Sequence, residues 1–146
     1  MSKVILDPYP RKIEDIFSSS TKITLSSLHL VIEFDGEDRL SFYNENIEDT
    51  DFIIGQPDLD ASLIERSKKL KAVFNVEGNF MPNIDYAACH LKGIRVLTPS
   101  SVFAVPVAEL AIGMMISLAR GIHTAHGDFL NGKEVYGLEG NAESEL

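Results

Sequence analysis

Two short apolar runs in the second half of the chain, residues 71–76 and 94–97, limit the possible folds most strongly. Each run ends in residues typical of turns, and residues 84–92 between them have helical spacing. This order predicts a strand, a helix and a second strand that runs parallel to the first. Ligands of such sheets bind at the loops that follow the carboxyl ends of the strands. These loops are therefore the first place to seek a functional site.

The first half of the chain continues this alternation of strands and helices. Strands are predicted at residues 3–6, 28–34 and 51–55, and helices at residues 11–19 and 59–69. Asp58 or Asp60 is the expected N-cap of the second helix. The order predicts an α/β fold, a flavodoxin-like doubly wound domain with a parallel five-stranded sheet. Its binding edge should lie around Asp7, Gln56 and residues 76–79 and 98–100.

Two segments leave alternatives open. Residues 18–27 have apolar positions that suit a short helix, although Ser and Thr are poor helix formers. Asp35-Gly36 is a hairpin-turn signal with residues 40–43 as a possible return strand. The alternative is an irregular connection that leads to the strand at residues 51–55.

A long helix is predicted over residues 102–120, at the C-terminal side of the sheet, and it is apolar on every face. Ser100 or Ser101 can cap its start, and Pro106 is tolerable only near the first turn. We expect a buried helix of a soluble protein rather than a membrane span, because the run contains Pro106 and Glu109. One side should pack on the sheet and the other on a second domain or subunit. Residues 127–146 are polar.

Composition excludes several classes of function. The 146 residues suit one domain, and a net charge of −9 argues against nucleic acid and acidic membranes as partners. Cys89 is the single cysteine, so no disulfide forms within the chain. The apolar run near the N-terminus, residues 4–6 with their neighbours, is too short for the hydrophobic region of a signal peptide. We therefore expect a cytoplasmic location.

A set of short motifs between residues 78 and 109 resembles the D-isomer-specific 2-hydroxyacid dehydrogenases, which include D-3-phosphoglycerate dehydrogenase and glyoxylate reductase. Each motif is weak alone, but their order and spacing over some 45 residues make the resemblance strong. The matching residues are Gly78, Asn83-Ile84-Asp85, Ala87-Ala88, Gly93-Ile94-Arg95-Val96, Thr98-Pro99 and Val107-Ala108-Glu109.

The resemblance implies a substrate-binding domain at residues 1–126 with an interdomain helix at residues 102–122, and a linker at residues 127–146. It also implies that backbone amides after the fourth strand hold the carboxylate of a small 2-hydroxy or 2-keto acid. The implied substrate-binding residues are Val76, Glu77, Gly78 and Asn79, and the implied interdomain residues are Asn83, Asp85, Thr98, Pro99, Glu109 and Arg120. Consecutive amides in a turn do form a concave anion site.

Two departures from the family pattern concern this loop. Residues 78–83 form a stretch about two residues longer than usual, with Pro82 before the Asn. The carboxylate of Glu77 would repel a substrate anion unless its side chain points away.

The family's second domain binds NAD or NADP through G-x-G-x-x-G and supplies the catalytic Arg, Glu and His. No such glycine motif occurs in this sequence, since Gly132, Gly137 and Gly140 have the wrong spacing. No catalytic residue is assigned. We expect this chain alone to bind no cofactor and to catalyse no turnover, with a nucleotide-binding domain or second subunit against the long helix and a homo-oligomer as the assembly.

Other readings carry less weight. The chain could be a stand-alone module that uses its apolar helix to dimerise or to dock a nucleotide-binding polypeptide. A response-regulator receiver would need an acidic pair after the first strand, which is missing. No metal site is expected from His123, His126 and Asp128. His29 is expected to be a satisfied core histidine and Cys89 a small buried thiol. Asp49, Asp51, Glu143 and Glu145 are expected to be solvated charges.

Overall fold

The computed structural model describes residues 1–134. The predictions that concern Gly137, Gly140, Glu143 and Glu145 lie outside the described residues. The chain divides into two compact units, Met1–Ser101 and Val102–Leu146.

The first unit contains a five-stranded sheet in which all neighbouring strands are parallel. Its strand order is β2-β1-β3-β4-β5. The strands are β1 Lys3–Asp7, β2 Leu30–Glu33, β3 Phe52–Gly55, β4 Ala72–Asn75 and β5 Arg95–Leu97. This confirms the predicted doubly wound α/β fold, because only crossover connections can join parallel neighbours.

Five helices connect the strands. They are α1 Ile13–Ile16, α2 Ser19–Leu28, α3 Arg39–Asn46, α4 Ala61–Arg66 and α5 Tyr86–Leu91, and a 3₁₀ turn at Ile47–Asp49 follows α3. Side chains at the N-caps fix several starts: Asp60 accepts from the amide of Leu63 at 2.8 Å and caps α4. Of the two N-caps predicted for α4, Asp60 is therefore correct.

The hairpin at Asp35-Gly36, one of the two alternatives left open for this segment, does not form. Asp38 accepts from the amide and hydroxyl of Ser41, and this cap starts α3 where the return strand was expected. The open segment at residues 18–27 forms α2, which Ser18 caps through the amide of Thr21 at 3.2 Å.

Because α2 extends through Leu28, the second strand starts later than predicted. His29 ends the helix instead of lying in a strand, and its buried Nδ1 has no partner among the described residues. The interpretation of His29 as a satisfied core histidine is therefore wrong.

Apolar side chains cover both faces of the sheet. The larger cluster contains Ile5, Tyr43, Ile53, Leu59, Ile64, Val73, Ile84 and Cys89, all nearly inaccessible, and the smaller contains Val4, Leu6 and Ile13. Cys89 is a small buried thiol, as predicted, and burial raises its pKa. This packing on both faces holds the strands side by side, so the loops at their carboxyl ends lie along one edge of the sheet.

The acidic residues beside β3 are ion-paired. Asp49 binds Nζ of Lys3 at 2.6 Å, and Asp51 binds Nζ of Lys71 at 2.8 Å. The pKa values of both carboxyl groups are lowered, chiefly by these hydrogen bonds. The expectation of a solvated charge is confirmed for Asp49, whose side chain is 61% exposed, and is wrong for Asp51, whose side chain is 14% exposed.

The second unit contains all but the first two residues of a long helix, α6 Ser100–Ala119, and a shorter helix, α7 Ile122–Leu130. Helix α6 begins two residues earlier than predicted, so Pro106 lies in its second turn, where it removes one backbone donor. None of its residues is buried, and by length and composition alone it could cross a membrane. Residues 1–134 alone do not provide the burial predicted for this helix.

Candidate functional site

The carboxyl ends of the strands bring Asp7, Gly55 and Asn75 side by side on neighbouring strands. Gly55 has a φ of +150°, and a Cβ built there would lie 1.8 Å from the carbonyl oxygen of Asp7. The close approach of β1 and β3 at this edge therefore requires glycine.

The loop after β4 presents backbone amides at this edge, but not all of them are available. The amide of Val76 donates to the carbonyl of Gly55 at 3.3 Å, and the amide of Glu77 donates to Oε1 of Gln56 at 3.4 Å. Within residues 1–134, the amides of Gly78 and Asn79 have no acceptor. The predicted four-residue cradle thus reduces to two unpaired amides.

The carbonyl side of the loop is held by the start of α6. The hydroxyl of Ser100 donates to the carbonyl of Gly78, and its oxygen lies 2.8 Å from Oγ1 of Thr98. Ser100 therefore bonds to the loop and does not act as the predicted helix cap. This hydrogen bond orients the peptide unit between Gly78 and Asn79, which also carries the amide of Asn79.

The charge of Glu77 is balanced by an arginine that sequence reasoning missed. Nε of Arg11 donates to Oε1 of Glu77 at 2.6 Å, and this hydrogen bond lowers the pKa of the Glu77 carboxyl. Arg11 lies in the loop after β1, within Pro8 to Lys12. Its position at the carboxyl end of a strand was a usable signal, although nothing local pointed to residue 77.

The far end of the loop is anchored to the segment after β3. The side chain of Asn83 donates to the carbonyl of Pro57, and its own carbonyl accepts from the amide of Leu59 at 2.8 Å. Asp85 caps α5 by accepting from the amide of Ala88 at 2.9 Å. Asn83 and Asp85 thus hold the loop within the first unit.

Several buried polar atoms under this loop have no partner among the described residues. They include both side-chain polar atoms of Asn75 and Oδ1 of Asn83, the residues that flank the loop. Asn75 is 3% exposed. Buried amides ordinarily find a partner, often an ordered water. Both ends of the loop therefore contain buried polar atoms that make no hydrogen bond with the described residues.

A second group of side chains joins β1 to the loop after β3, and sequence reasoning missed two of its members, Arg39 and Tyr43. The Asp7 carboxylate is inaccessible to solvent and accepts from the hydroxyl of Tyr43 at 2.9 Å and from Nη2 of Arg39 at 3.0 Å. Nη1 of Arg39 donates to Asp58 at 2.7 Å. Burial raises the pKa of Asp7, while Arg39 and the tyrosine oppose that rise. Tyr43 has a pKa well above its ordinary value, mainly through burial.

The remaining predicted residues are distributed outside this loop. Pro99 is half-buried beside Thr98, whereas Glu109 and Arg120 are exposed on and just after α6 and form no ion pair among residues 1–134. The part of the chain that the structure describes holds no cluster of three metal-ligating side chains, and His123, His126 and Asp128 form none.

The first loop of the sheet does not fit a dinucleotide. Residues 8–12 contain two prolines and no glycine, and α1 has four residues. A pyrophosphate is ordinarily held by a glycine-rich turn and the N-terminus of a longer helix. No step of a reaction can therefore be assigned to a cofactor bound here.

Comparison with known proteins finds similar curated proteins and similar solved structures. Hydroxypyruvate reductase from Thermotoga maritima is 30% identical over 129 residues, covering 87% of this chain and 39% of that protein. D-3-phosphoglycerate dehydrogenase from Methanocaldococcus jannaschii is 32% identical over 91 residues, covering 61% and 17%. The crystal structure of a phosphoglycerate oxidoreductase from Rhizobium etli superposes with a TM-score of 0.84 and 37% identity. The chain is similar to these D-2-hydroxyacid dehydrogenases.

The match to these dehydrogenases has a defined extent. The Rhizobium etli structure covers 100% of this chain, which in turn covers 46% of that protein. The chain thus spans less than half the length of each of these dehydrogenases. No family model matches the sequence.

Proposed function

We propose that this chain is the substrate-binding part of an NAD(P)-dependent D-2-hydroxyacid dehydrogenase, with residues 1–126 as that domain. The observation that carries the proposal is the pair of consecutive unpaired amides at Gly78 and Asn79. They follow a parallel strand at the sheet edge where ligands of such folds bind. Two adjacent N–H groups can share one carboxylate, and Gly78 allows it a close approach.

In this role the chain positions an acid and does not transform it. Fixing the carboxylate of a 2-hydroxy or 2-keto acid sets the orientation of C2, and correct orientation is a large part of the rate gain in such reactions. NAD or NADP, which exchanges a hydride with C2, would be bound by a nucleotide-binding domain on the same or a separate polypeptide. Residues 127–146 would be the linker, and Asn83, Asp85, Thr98, Pro99, Glu109 and Arg120 would lie near that domain. A cytoplasmic location fits the single unpaired Cys89.

Amide NMR tests the carboxylate site directly. On titration with D-glycerate, the amide signals of Gly78 and Asn79 should shift more than those of other loops, while glycerol, which lacks the carboxylate, should leave them unchanged. Asn79→Pro removes one amide donor and should weaken binding, whereas the matched Asn79→Ala variant keeps the donor and should retain it. Absence of shifts at both amides at millimolar D-glycerate contradicts the proposal.

A second candidate function rests on α6. Ten large apolar residues of this helix are exposed in the single chain: Val102, Phe103, Val105, Val107, Leu110, Ile112, Met114, Met115, Ile116 and Leu118. Patches of this kind mark sites of association. The chain would then be an assembly module that dimerises or docks a nucleotide-binding polypeptide. Light scattering separates the cases: a defined oligomer with a protected helix favours assembly, and a soluble monomer counts against it.

A further inference from the structure

The loops at the carboxyl edge of the sheet are strongly acidic. The segments that follow β1 to β5 and lead to the next helix contain seven acidic residues and two basic ones. The acidic residues are Asp35, Glu37, Asp38, Asp58, Asp60, Glu77 and Asp85, and the basic residues are Arg11 and Lys12. An anionic ligand at this edge meets repulsion unless one of the two basic side chains is placed against it.

Of these two residues, Arg11 is the one that reaches the loop after β4. Its Nε–H is committed to Glu77 at 2.6 Å, and its Nη1 and Nη2 groups have no acceptor among residues 1–134. An arginine carries five N–H donors in a planar fork, so four donors remain. Its side chain is 52% exposed. The free end of the guanidinium is therefore open to a ligand.

Arg39, the other arginine near this edge, is not available to bind a ligand anion in the same way. Arg39 already bonds to the carboxylates of Asp7 and Asp58, which offset its charge. Lys12 makes no contact with residues 76–82 among the hydrogen bonds and ion pairs of the described chain. Arg11 is thus the remaining cation of these loops that contacts the loop after β4, at Glu77, the residue directly before Gly78.

We propose that Arg11, oriented by Glu77, is a specificity-determining residue that binds a second anionic group of the substrate. The inference rests on the proposed function: the amides of Gly78 and Asn79 take the carboxylate, and the Nη groups of Arg11 take a distal phosphate or second carboxylate. The preferred substrate is then a 2-hydroxy acid with two anionic ends. Guanidinium groups suit this role because they form paired hydrogen bonds with phosphate and carboxylate.

The Arg11–Glu77 pair makes the assignment testable, because two effects of Arg11 can be separated. Arg11 neutralises Glu77, which helps any acid to bind, and it offers its own donors to a distal anion, which helps only acids that have one. In a variant that lacks both Arg11 and Glu77, no charge at residue 77 remains to be neutralised. Any loss of affinity that persists in this variant therefore reports the missing contact between Arg11 and the distal anion.

The experiment compares D-glycerate with D-3-phosphoglycerate on the 146-residue chain by calorimetry and amide NMR. The wild type should bind the phosphorylated acid more tightly. Arg11→Gln should weaken binding of both acids, with a loss of about tenfold or more for the phosphorylated one, the scale of one charge-assisted contact. The double variant Arg11→Gln/Glu77→Gln should regain D-glycerate binding but not the preference for the phosphorylated acid.

Lys12→Gln is the matched control, since it removes one positive charge from the same loop. It should leave the ratio of the two affinities unchanged, and unfolding midpoints should confirm that all variants are folded. If the double variant regains both acids equally, or if Lys12→Gln acts like Arg11→Gln, the inference is overturned while the carboxylate site stands. If the wild type binds neither acid, the proposed function fails and this inference with it.

Discussion

At the scale of single residues, the sheet edge depends on the absence of a side chain at Gly55. The strands β1 and β3 approach so closely that an added Cβ would overlap the backbone of Asp7 at 1.8 Å. We expect Gly55→Ala to lower the free energy of unfolding by at least about 3 kcal/mol, because both the clash and the positive φ are unfavourable. Urea denaturation measures this loss.

Gly93→Ala is the matched control, since Gly93 also has a positive φ, of +72°, but no atom lies within 4 Å of the added carbon. Its cost should be about 1–2 kcal/mol, the strain of the left-handed conformation alone. Equal losses for the two variants would show that the close approach at Gly55 carries no energy.

The buried Asp7 carboxylate depends on Tyr43. Removing the tyrosine hydroxyl leaves that charge with one donor fewer in a site without solvent. Tyr43→Phe should cost about 1.5–3 kcal/mol of unfolding free energy, the range for hydrogen bonds to charged groups. Tyr9→Phe, at a tyrosine that is 54% exposed, should change stability by less than about 0.5 kcal/mol. If Tyr43→Phe leaves the free energy of unfolding unchanged, Arg39 alone satisfies the carboxylate.

The pKa of Glu77 gives a pH signature of the Arg11 contact. Because the pair lowers this pKa below its ordinary 4.5, its contribution to stability is present above pH 4.5 and is lost as pH falls through the lowered value. In Arg11→Gln, the Glu77 pKa should rise toward 4.5. Carboxyl ¹³C NMR in acid measures both titrations, and an unchanged pKa would show that the pair does not form in solution.

At the scale of helices and strands, the apolar runs identified all five strands. Central parallel strands such as β1 and β3 are covered on both faces and therefore need nearly continuous apolar residues. Helix α3 could not be predicted with the same method. An Asp-Gly turn signal at residues 35–36 precedes this helix and favours a hairpin. The helix start is marked only by the N-cap side chain of Asp38. The start of β2 was also misplaced, because α2 continues through Leu28 and the helix cap at His29 precedes the strand.

Helix α6 has a large apolar surface that no other part of residues 1–134 covers. Each exposed Leu- or Ile-sized side chain forgoes about 1.5–3 kcal/mol of burial, so association should be favourable. We expect the chain to self-associate, and Leu110→Glu to shift it toward monomer in light scattering. Leu91→Glu, the same change at an 86% exposed leucine of α5, should leave the oligomer intact. If both variants behave alike, net charge rather than α6 controls association.

At the scale of the whole molecule, the sequence located the candidate loop but not its working parts. The position of residues 76–79 followed from the end of a predicted strand. Which amides remain unpaired depends on Gly55 and Gln56, and the neutralisation of Glu77 depends on Arg11, 66 residues away in the chain. Contacts across that distance exist only once β1, β3 and β4 lie side by side.

The whole molecule should also lack affinity for the cofactor of its dehydrogenase relatives. Calorimetric titration of the 146-residue chain with NADH should show no binding at micromolar concentration, because the loop after β1 offers prolines where a glycine turn is needed. D-Glycerate binding by the same sample shows that the protein is competent. A micromolar dissociation constant for NADH would contradict the proposed division of roles.

The strand order has a consequence for the order in which the sheet can assemble. Strand β1 lies between β2 and β3, and β2 has no other neighbour in the sheet. The pairing of β2 therefore depends on β1, whereas β3, β4 and β5 pair with one another directly. A truncation that removed Lys3–Asp7 would leave β2 without a partner strand and reduce the sheet to its other three strands.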